Sequence, residues 1–323
     1  MTDATDGTGE WARGDAVAVD DGVWRIDLGF RGRRGVIAAY LLADADGDLT
    51  LIESGPAATL PALRAGIRAA GFDPARLTRL LLTHIHLDHA GGAGVLARAA
   101  SDLVVRVHPV GAPHMVDPAK LVASATRIYG DRMDDLWGEV APIPAGRVVA
   151  LADGEALSVA GRPLAALFTP GHASHHVAFW DAGQATAYTG DVAGVRMAGT
   201  DYVCPPASPP ELDPEAWAAS VARLRALAPR RLCLTHGGPF LDATPHLDQL
   251  LPNLAELRAL ALAELRAGAD AAALTAAIHD RMAAKLGAAG PDALQNLEWA
   301  TPSYLAAAGL TRLLVKRGEV EQD

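Results

Sequence analysis

Cysteine is nearly missing from this 323-residue chain, with Cys204 and Cys233 the only two. Two thiols are too few for a disulfide framework, and their spacing is not that of a zinc knuckle. Cys233 falls in the apolar run "RRLCLTH", where a thiol acts as a small hydrophobe, and Cys204 precedes the loop-like "PPASPP". Neither is read as a nucleophile. Also lacking is any run of about 18 or more uncharged apolar residues, so no membrane-spanning helix is expected. The opening "MTDATDGTGEW" is acidic and polar, where a secretory signal would be basic and then apolar. These features lead to the expectation of a soluble, cytoplasmic protein with no membrane partner. Basic charge is scarce too: 28 Lys and Arg face 38 Asp and Glu, a formal net charge of -10. Nucleic acid is therefore not expected as a partner, because affinity for the phosphate backbone rests on clustered Lys and Arg.

Half of the residues are apolar, enough for a sizeable core. The length accommodates one large α/β domain with an appended helical piece. Residues 1–12 read as disordered and residues 13–244 as the main domain. Its first part has β-rich runs "GVWRIDLG", "GVIAAYLLAD" and "LTLIESG" between Gly and Asp turn signals, as in adjacent antiparallel strands. Helix and strand then alternate: Leu60, Leu63 and Ile67 form one face of a helix over 57–70, "LTRLLLTH" is a buried strand, "VLARAA" a short helix and "DLVVRVHP" another strand. Residues 112–147 break this rhythm as a helical insertion carrying Met115, Tyr129, Met133 and Trp137. Strands resume over 148–190, Asp213 and Pro214 start a helix, and "RRLCLTHGG" reads as the last core strand. Residues 245–323 form a helical subdomain. Its stripe of Leu247, Leu250, Leu251, Leu254 and Leu257 is suited to packing on the core or on a second copy of the chain, and a second helix spans about 270–286.

The stretch "LLLTHIHLDHAGGAG" (80–94) concentrates three of the 11 histidines with an aspartate: His84, His86, Asp88 and His89. Residues two apart point the same way on an extended segment, so His84 and His86 can share one ion. The following turn redirects Asp88 and His89 toward another ion, and Gly91 and Gly92 are expected to let the backbone pass close by. His172 in "FTPGHASHH", Asp191 in "AYTGDV" and His236 in "LTHGG" sit at comparable strand ends. Imidazole and carboxylate donors without thiolate suit zinc, iron or manganese.

The ordered set "THIHLDHAGG", "TPGH", "TGD" and "THGG", within roughly residues 20–240, resembles the metallo-β-lactamase superfamily. The resemblance implies an αββα sandwich with a metal site at one edge of the two sheets, here with an all-helical C-terminal subdomain. It further implies two divalent ions, zinc foremost: His84, His86 and His172 on the first, Asp88, His89 and His236 on the second, and Asp191 between them. A hydroxide held by both ions would then attack a small-molecule acyl substrate, with Asp88 orienting it. Glu53 in "LIESG" stands where many relatives have an aspartate, and His176 stands at the position of a histidine that supports the ligands from behind, while His175 replaces a usual glycine.

Several branches fit less well. True β-lactamases lack the bridging aspartate, diiron flavoproteins carry an acidic residue in place of His86, and RNase Z relatives need a basic surface. Acyl-homoserine lactonases place a tyrosine soon after the bridging aspartate; this chain reads "GDVAGVRM" there, leaving Tyr202 as the nearest candidate. The insertion and helical tail resemble hydrolases near glyoxalase II. The expectation is a thioester or carboxylic-ester hydrolase. A lactonase and a mononuclear-iron oxidoreductase of the persulfide dioxygenase type are the alternatives. Tyr129 and Met133 of the insertion, with Tyr202, are the substrate-contacting candidates, and His108, His114, His246 and His279 are read as structural.

Overall fold

The computed structural model describes residues 15–44 and 47–321, so the expected disorder of residues 1–12 lies outside the described residues. Its first sheet holds β1 (Ala16–Asp20), β2 (Val23–Asp27), β3 (Ala38–Ala43), β4 (Leu49–Ile52), β5 (Leu77–Leu81), β6 (Val104–Val107) and β7 (Val148–Ala150), in spatial order of sequence. The pairing is antiparallel from β1 through β4 and parallel from β4 through β7. The second sheet holds β8 (Ala156–Val159), β9 (Arg162–Phe168), β10 (Val177–Asp181), β11 (Thr186–Gly190), β12 (Arg231–Leu234) and β13 (Pro239–Phe240). Only β11 and β12 pair in parallel there; their connection carries a helix over Pro214–Ala226.

Two strands escape the sequence reading. β1 is a half-exposed edge strand whose pattern carries no clean alternation. β13 is two residues long and adds a strand beyond the "LCLTHGG" run.

β3 explains how the layers form. All six of its residues are buried, yet they divide by the pleat's period of two. Tyr40 and Leu42 join Ile52, Leu81, Phe179, Tyr188 and Cys233 in the core between the sheets. Ala39, Leu41 and Ala43 point the other way, into the core that includes Leu60, Leu63 and Ile67 of the first long helix. A sheet covered on both faces needs apolar residues at every position, and "AAYLLA" supplies them.

The helices are α1 (Leu60–Ala69), α2 (Leu87–Ala90), α3 (Ala93–Ala99), α4 (Ala112–Val116), α5 (Ala119–Tyr129), α6 (Met133–Trp137), α7 (Pro214–Ala226), α8 (Ala243–Arg266), α9 (Ala271–Leu286), α10 (Gly290–Ala300) and α11 (Ser303–Lys316). The result is the expected α/β class, two sheets with helices outside and a C-terminal helical region. Asp213 caps α7 by accepting from the Ala216 N–H at 3.0 Å, and Asp270 caps α9 through Ala273 at 2.8 Å. Leu247, Leu250, Leu254 and Leu257 are buried within the chain, with Leu251 half-buried beside them. They share one continuous core with the first sheet's outer face, so the helical region is packed onto the α/β part. Among the described residues no helix is long and apolar enough to cross a membrane.

Candidate metal centre

Five strand ends converge on one rim. β4 leads into Glu53, β5 into His84, β9 into His172, β11 into Asp191 and β12 into His236. Between β5 and α2 the chain turns at His86, which precedes the helix in extended conformation, so that Asp88 and His89 on α2 face the same space. Sharp turns make the convergence possible. Gly190 has φ +48, and a Cβ there would lie 2.5 Å from Thr83 Oγ1 and 2.8 Å from His176 Nε2. Gly171 has φ +140, and a Cβ would strike the backbone of Trp217 at 2.3 Å, so α7 rests directly on the turn that delivers His172. Gly91 and Gly92 let the backbone pack against Pro56 and Gly55, which fixes α2 and α3 on the turn after β4.

Three sets of ligand-type atoms lie close together: His84, His86 and His172; Asp88, His89 and His236; and Glu53, His84 and His89. In the first, His86 Nδ1 is 3.0 Å from His84 Nε2 and 3.1 Å from His172 Nε2. In the second, Asp88 Oδ2 is 3.4 Å from His236 Nε2 and 3.6 Å from His89 Nε2. Asp191 spans both: Oδ2 is 3.3 Å from His172 Nε2, while Oδ1 is 3.4 Å from both His89 Nε2 and His236 Nε2.

The opposite ring nitrogens are already committed, which aims the free ones inward. His172 Nδ1–H donates to the Pro206 carbonyl at 2.7 Å, His236 Nδ1–H to the Val36 carbonyl at 2.6 Å, and His89 Nδ1–H to Glu53 Oε1 at 2.9 Å. His84 Nδ1 meets Thr83 Oγ1 at 3.0 Å, and the Thr83 hydroxyl donates to Glu53. His176 lies behind Asp191: its Nε2 accepts the Asp191 N–H at 3.1 Å, so its Nδ1–H donates to Thr169 Oγ1 at 2.8 Å.

The sequence reading missed Thr83, Thr169 and Thr235, the last of which reaches Glu53 at 3.3 Å. Their signal was present, since a threonine precedes the ligand-type histidine in "LTHIH" and "LTHGG" and begins "TPGH". Glu53 is fully buried and has φ +68, a conformation that non-glycine residues rarely adopt. Its carboxylate is held by three residues, Thr83 through its N–H and hydroxyl, His89 and Thr235, and its extra methylene over aspartate carries the carboxylate to His89.

Electrostatics divides the cluster. Burial pushes His84, His86 and His172 below their ordinary value, His86 to about 3, so they present neutral lone pairs. Burial pushes Asp88 up, but His89 and His236 outweigh it and hold the carboxyl at about 2. Asp191 is likewise held well down by His89, His236 and His172 against its burial. For His89 burial favours the neutral ring, and Asp88, Asp191 and Glu53 overcome that and draw a proton to it. His236 follows for the same reason.

The residues fit a metal. His89 Nε2, His236 Nε2 and Asp191 Oδ1 are buried without a hydrogen-bond partner, a costly arrangement unless a cation satisfies them. Neutral lone pairs about 3 Å apart repel unless a positive charge lies between, and a divalent ion answers the carboxylates that now attract protons.

The cluster opens into a cavity of about 540 Å³ walled by His86, Asp88, His172 and Asp191 at its base. Tyr129 lines it, as does Trp137, which stacks on Phe30 with ring centroids 5.7 Å apart. Two sequence expectations are corrected here. Met133 does not line the cavity but packs half-buried against the core, because α6 turns Leu136 and Trp137 inward instead. Tyr202 is also absent from the wall: the strand-like bridge of Val195 with Cys204 draws this segment into the core, where Tyr202 is buried. Conversely, His114 and His175, not assigned as ligands, both line the cavity. So does a segment with no motif to place it there: Glu298 and Trp299 of α10 and Tyr304 and Leu305 of α11. Gly309 lets α11 approach so closely that a Cβ would lie 2.0 Å from the Ala207 carbonyl oxygen, in the loop bearing Pro206 and Ser208.

Two layered sheets with a histidine and carboxylate cluster at their common rim define a class of α/β proteins built around a metal-binding site. Residues 32–236 match the family described as the Metallo-beta-lactamase superfamily, and the chain belongs to it. It is 28% identical over 180 residues to a metallo-beta-lactamase fold-containing protein of Sulfurisphaera tokodaii, spanning 54% of this chain and 67% of that protein. It is 29% identical over 204 residues to a hydroxyacylglutathione hydrolase of Fuscovulum blasticum, spanning 63% of each. Among solved structures, a metallo-beta-lactamase family protein from Thermus thermophilus superposes with a TM-score of 0.70 at 22% identity, covering 93% of this chain and 95% of that one.

Proposed function

We propose that the protein is a binuclear metal-dependent hydrolase of thioesters or carboxylic esters, in a glyoxalase II-like branch, with zinc as the foremost metal and iron or manganese as alternatives. The observation that carries this reading is Asp191, whose two carboxylate oxygens are divided between the His84, His86, His172 set and the Asp88, His89, His236 set. Glu53 and His176 hold His89 and Asp191 from behind. Divalent ions bound there supply a water that ionises near neutral pH and an electrophile for the acyl oxygen.

The chain's own residues do the rest. Asp88 faces the cavity, accepts the hydrogen bond of the attacking water and aims its lone pair at the acyl carbon. Tyr129, on the cavity wall, contacts the bound substrate. The apolar wall positions the acyl group and keeps bulk water away. Neither thiol serves as a nucleophile, because burial pushes Cys204 and Cys233 up to about 12. A thioester is favoured over other acyl groups by the similarity to a hydroxyacylglutathione hydrolase; a lactone fits the same chemistry.

The test is a panel of thioesters, carboxylic esters and lactones offered to metal-supplemented protein, with and without a chelator. Chelator-sensitive turnover of thioesters or esters is expected. Turnover confined to lactones would reassign the substrate class, and oxygen consumption with a persulfide in place of any acyl hydrolysis would overturn the reading in favour of an oxidoreductase.

A further inference from the structure

We propose that the insertion over residues 112–147 carries an anion-binding subsite, so that the substrate joins an apolar acyl portion to a carboxylate or phosphate held by Lys120 and Arg132. This rests on the acyl-hydrolase reading for the identity of the substrate but not for the subsite itself. The cavity wall contains acids and bases whose partners differ by side. Its acids outside the metal cluster are engaged: Glu211 accepts from the Ser174 N–H at 2.9 Å and the Ser174 hydroxyl at 2.6 Å, and Glu298 accepts from the Ser303 N–H and hydroxyl at 3.1 Å each and faces His279 at 3.1 Å. On the insertion side the donors are free. Among the described residues Lys120 and Arg132 form no ion pair or hydrogen bond, although both line the cavity. The arginine's polar contact is with the face of Trp299, 5.8 Å from the ring centroid, which leaves its N–H groups available.

One more donor on the same segment is unmatched: among the described residues no hydrogen bond engages the hydroxyl of Tyr129, which lines the cavity. Three unmatched donors on one side of the cavity, two of them cationic, in a chain of net charge -10, suit an anion. The rim supplies the complementary apolar part. Val110, Ile128 and Tyr304, exposed by 50%, 42% and 39%, are three of the six large hydrophobic side chains left open among the described residues, and all three edge this cavity. A fully polar substrate would leave that rim unused.

The experiment separates the subsite from the proposed chemistry by using thioethers, which have no acyl–sulfur bond to cleave. Binding of S-hexyl-3-mercaptopropionate, its neutral amide, and 2-(hexylthio)ethyl phosphate to the metal-loaded full chain is measured by calorimetry. Two solvent-exposed charge contacts predict that at least one anion binds about tenfold more tightly than the amide, the preference shrinking at high salt. In the double variant Lys120→Gln, Arg132→Gln that ratio should fall to about one, and in Lys120→Arg, Arg132→Lys it should return. The carboxylate and phosphate arms identify which anion the site takes. Equal binding of all three compounds by the wild type overturns the proposal, as does a preference that persists in the double variant, since the metals would then be the anion's anchor. Thioester turnover, measured separately, decides the acyl-hydrolase reading: tight anion binding without turnover would sink that reading and leave the subsite standing.

Discussion

At the residue scale, two carboxylates do different work in nearly the same place. Asp88 is open to the cavity, whereas Glu53 is fully buried behind His89. Asp88→Asn removes charge but keeps size, so turnover should fall by about 100-fold or more while circular dichroism stays unchanged; near-normal turnover at full metal content would rule out its assigned role. Glu53→Gln should act through His89 instead. Loss of the carboxylate behind a ligand typically weakens metal affinity by roughly 10- to 100-fold, and a competitive chelator titration would read this directly. Wild-type affinity in that variant would show that Thr83 and Thr235 suffice to hold the site. The histidines and Asp191 were legible in the sequence because metal sites demand particular donors at strand ends. The threonines stand in the same motifs, but only the folded chain shows what they do: the Thr83 and Thr235 hydroxyls face Glu53, and that of Thr169 faces His176.

At the scale of elements, the insertion was recognised from its break in the alternation, but period alone could not say which of its large side chains face a cavity. Tyr129 does and Met133 does not. Tyr129→Ala should therefore raise KM at constant metal content. Met133→Ala should cost about 1 kcal/mol of stability, as a half-buried packing residue, with kinetics unaltered; the reverse pattern would contradict the placement of α5 and α6. Helix α8 yields a second prediction. His246 is buried on it, donates Nε2–H to the Ala193 carbonyl at 2.8 Å, and is pushed by burial down to about 4. The unfolded chain binds this proton from about pH 6.5 downward and the folded chain only near pH 4, so stability is full above pH 6.5 and is lost as the pH falls through that window. His246→Gln keeps a donor without the titration. Between pH 7 and pH 5 the wild type should lose roughly 2 kcal/mol more than the variant in urea unfolding of metal-loaded protein. Equal losses would mean that His246 is not the proton acceptor.

At the scale of the whole molecule, the layered α/β plan followed from the order of apolar runs, and β3 shows why: a strand apolar at every position belongs to a sheet covered on both sides. The placement of α10 and α11 did not follow, because an Ala- and Leu-rich helix is compatible with many packing partners. Their place is set by contacts that the folded chain reveals: the close approach at Gly309, the hydrogen bonds from Arg33 to Asn296, from Asn296 to the Arg34 carbonyl and from Arg312 to the Pro210 carbonyl, and the burial of Leu297, Leu310 and Leu314 in the shared core. The cavity is consequently built from three parts of the chain: the strand-end rim, the insertion and the C-terminal helices. What unites them is a rim that divides seven donors into two sets around Asp191. The most direct test of that claim is the metal-to-protein ratio of the untagged full chain after reconstitution with zinc, iron or manganese, determined by inductively coupled plasma analysis. The account predicts two ions per chain for the metal that supports hydrolysis; a ratio that stays at one under saturating metal would contradict it and favour a mononuclear site.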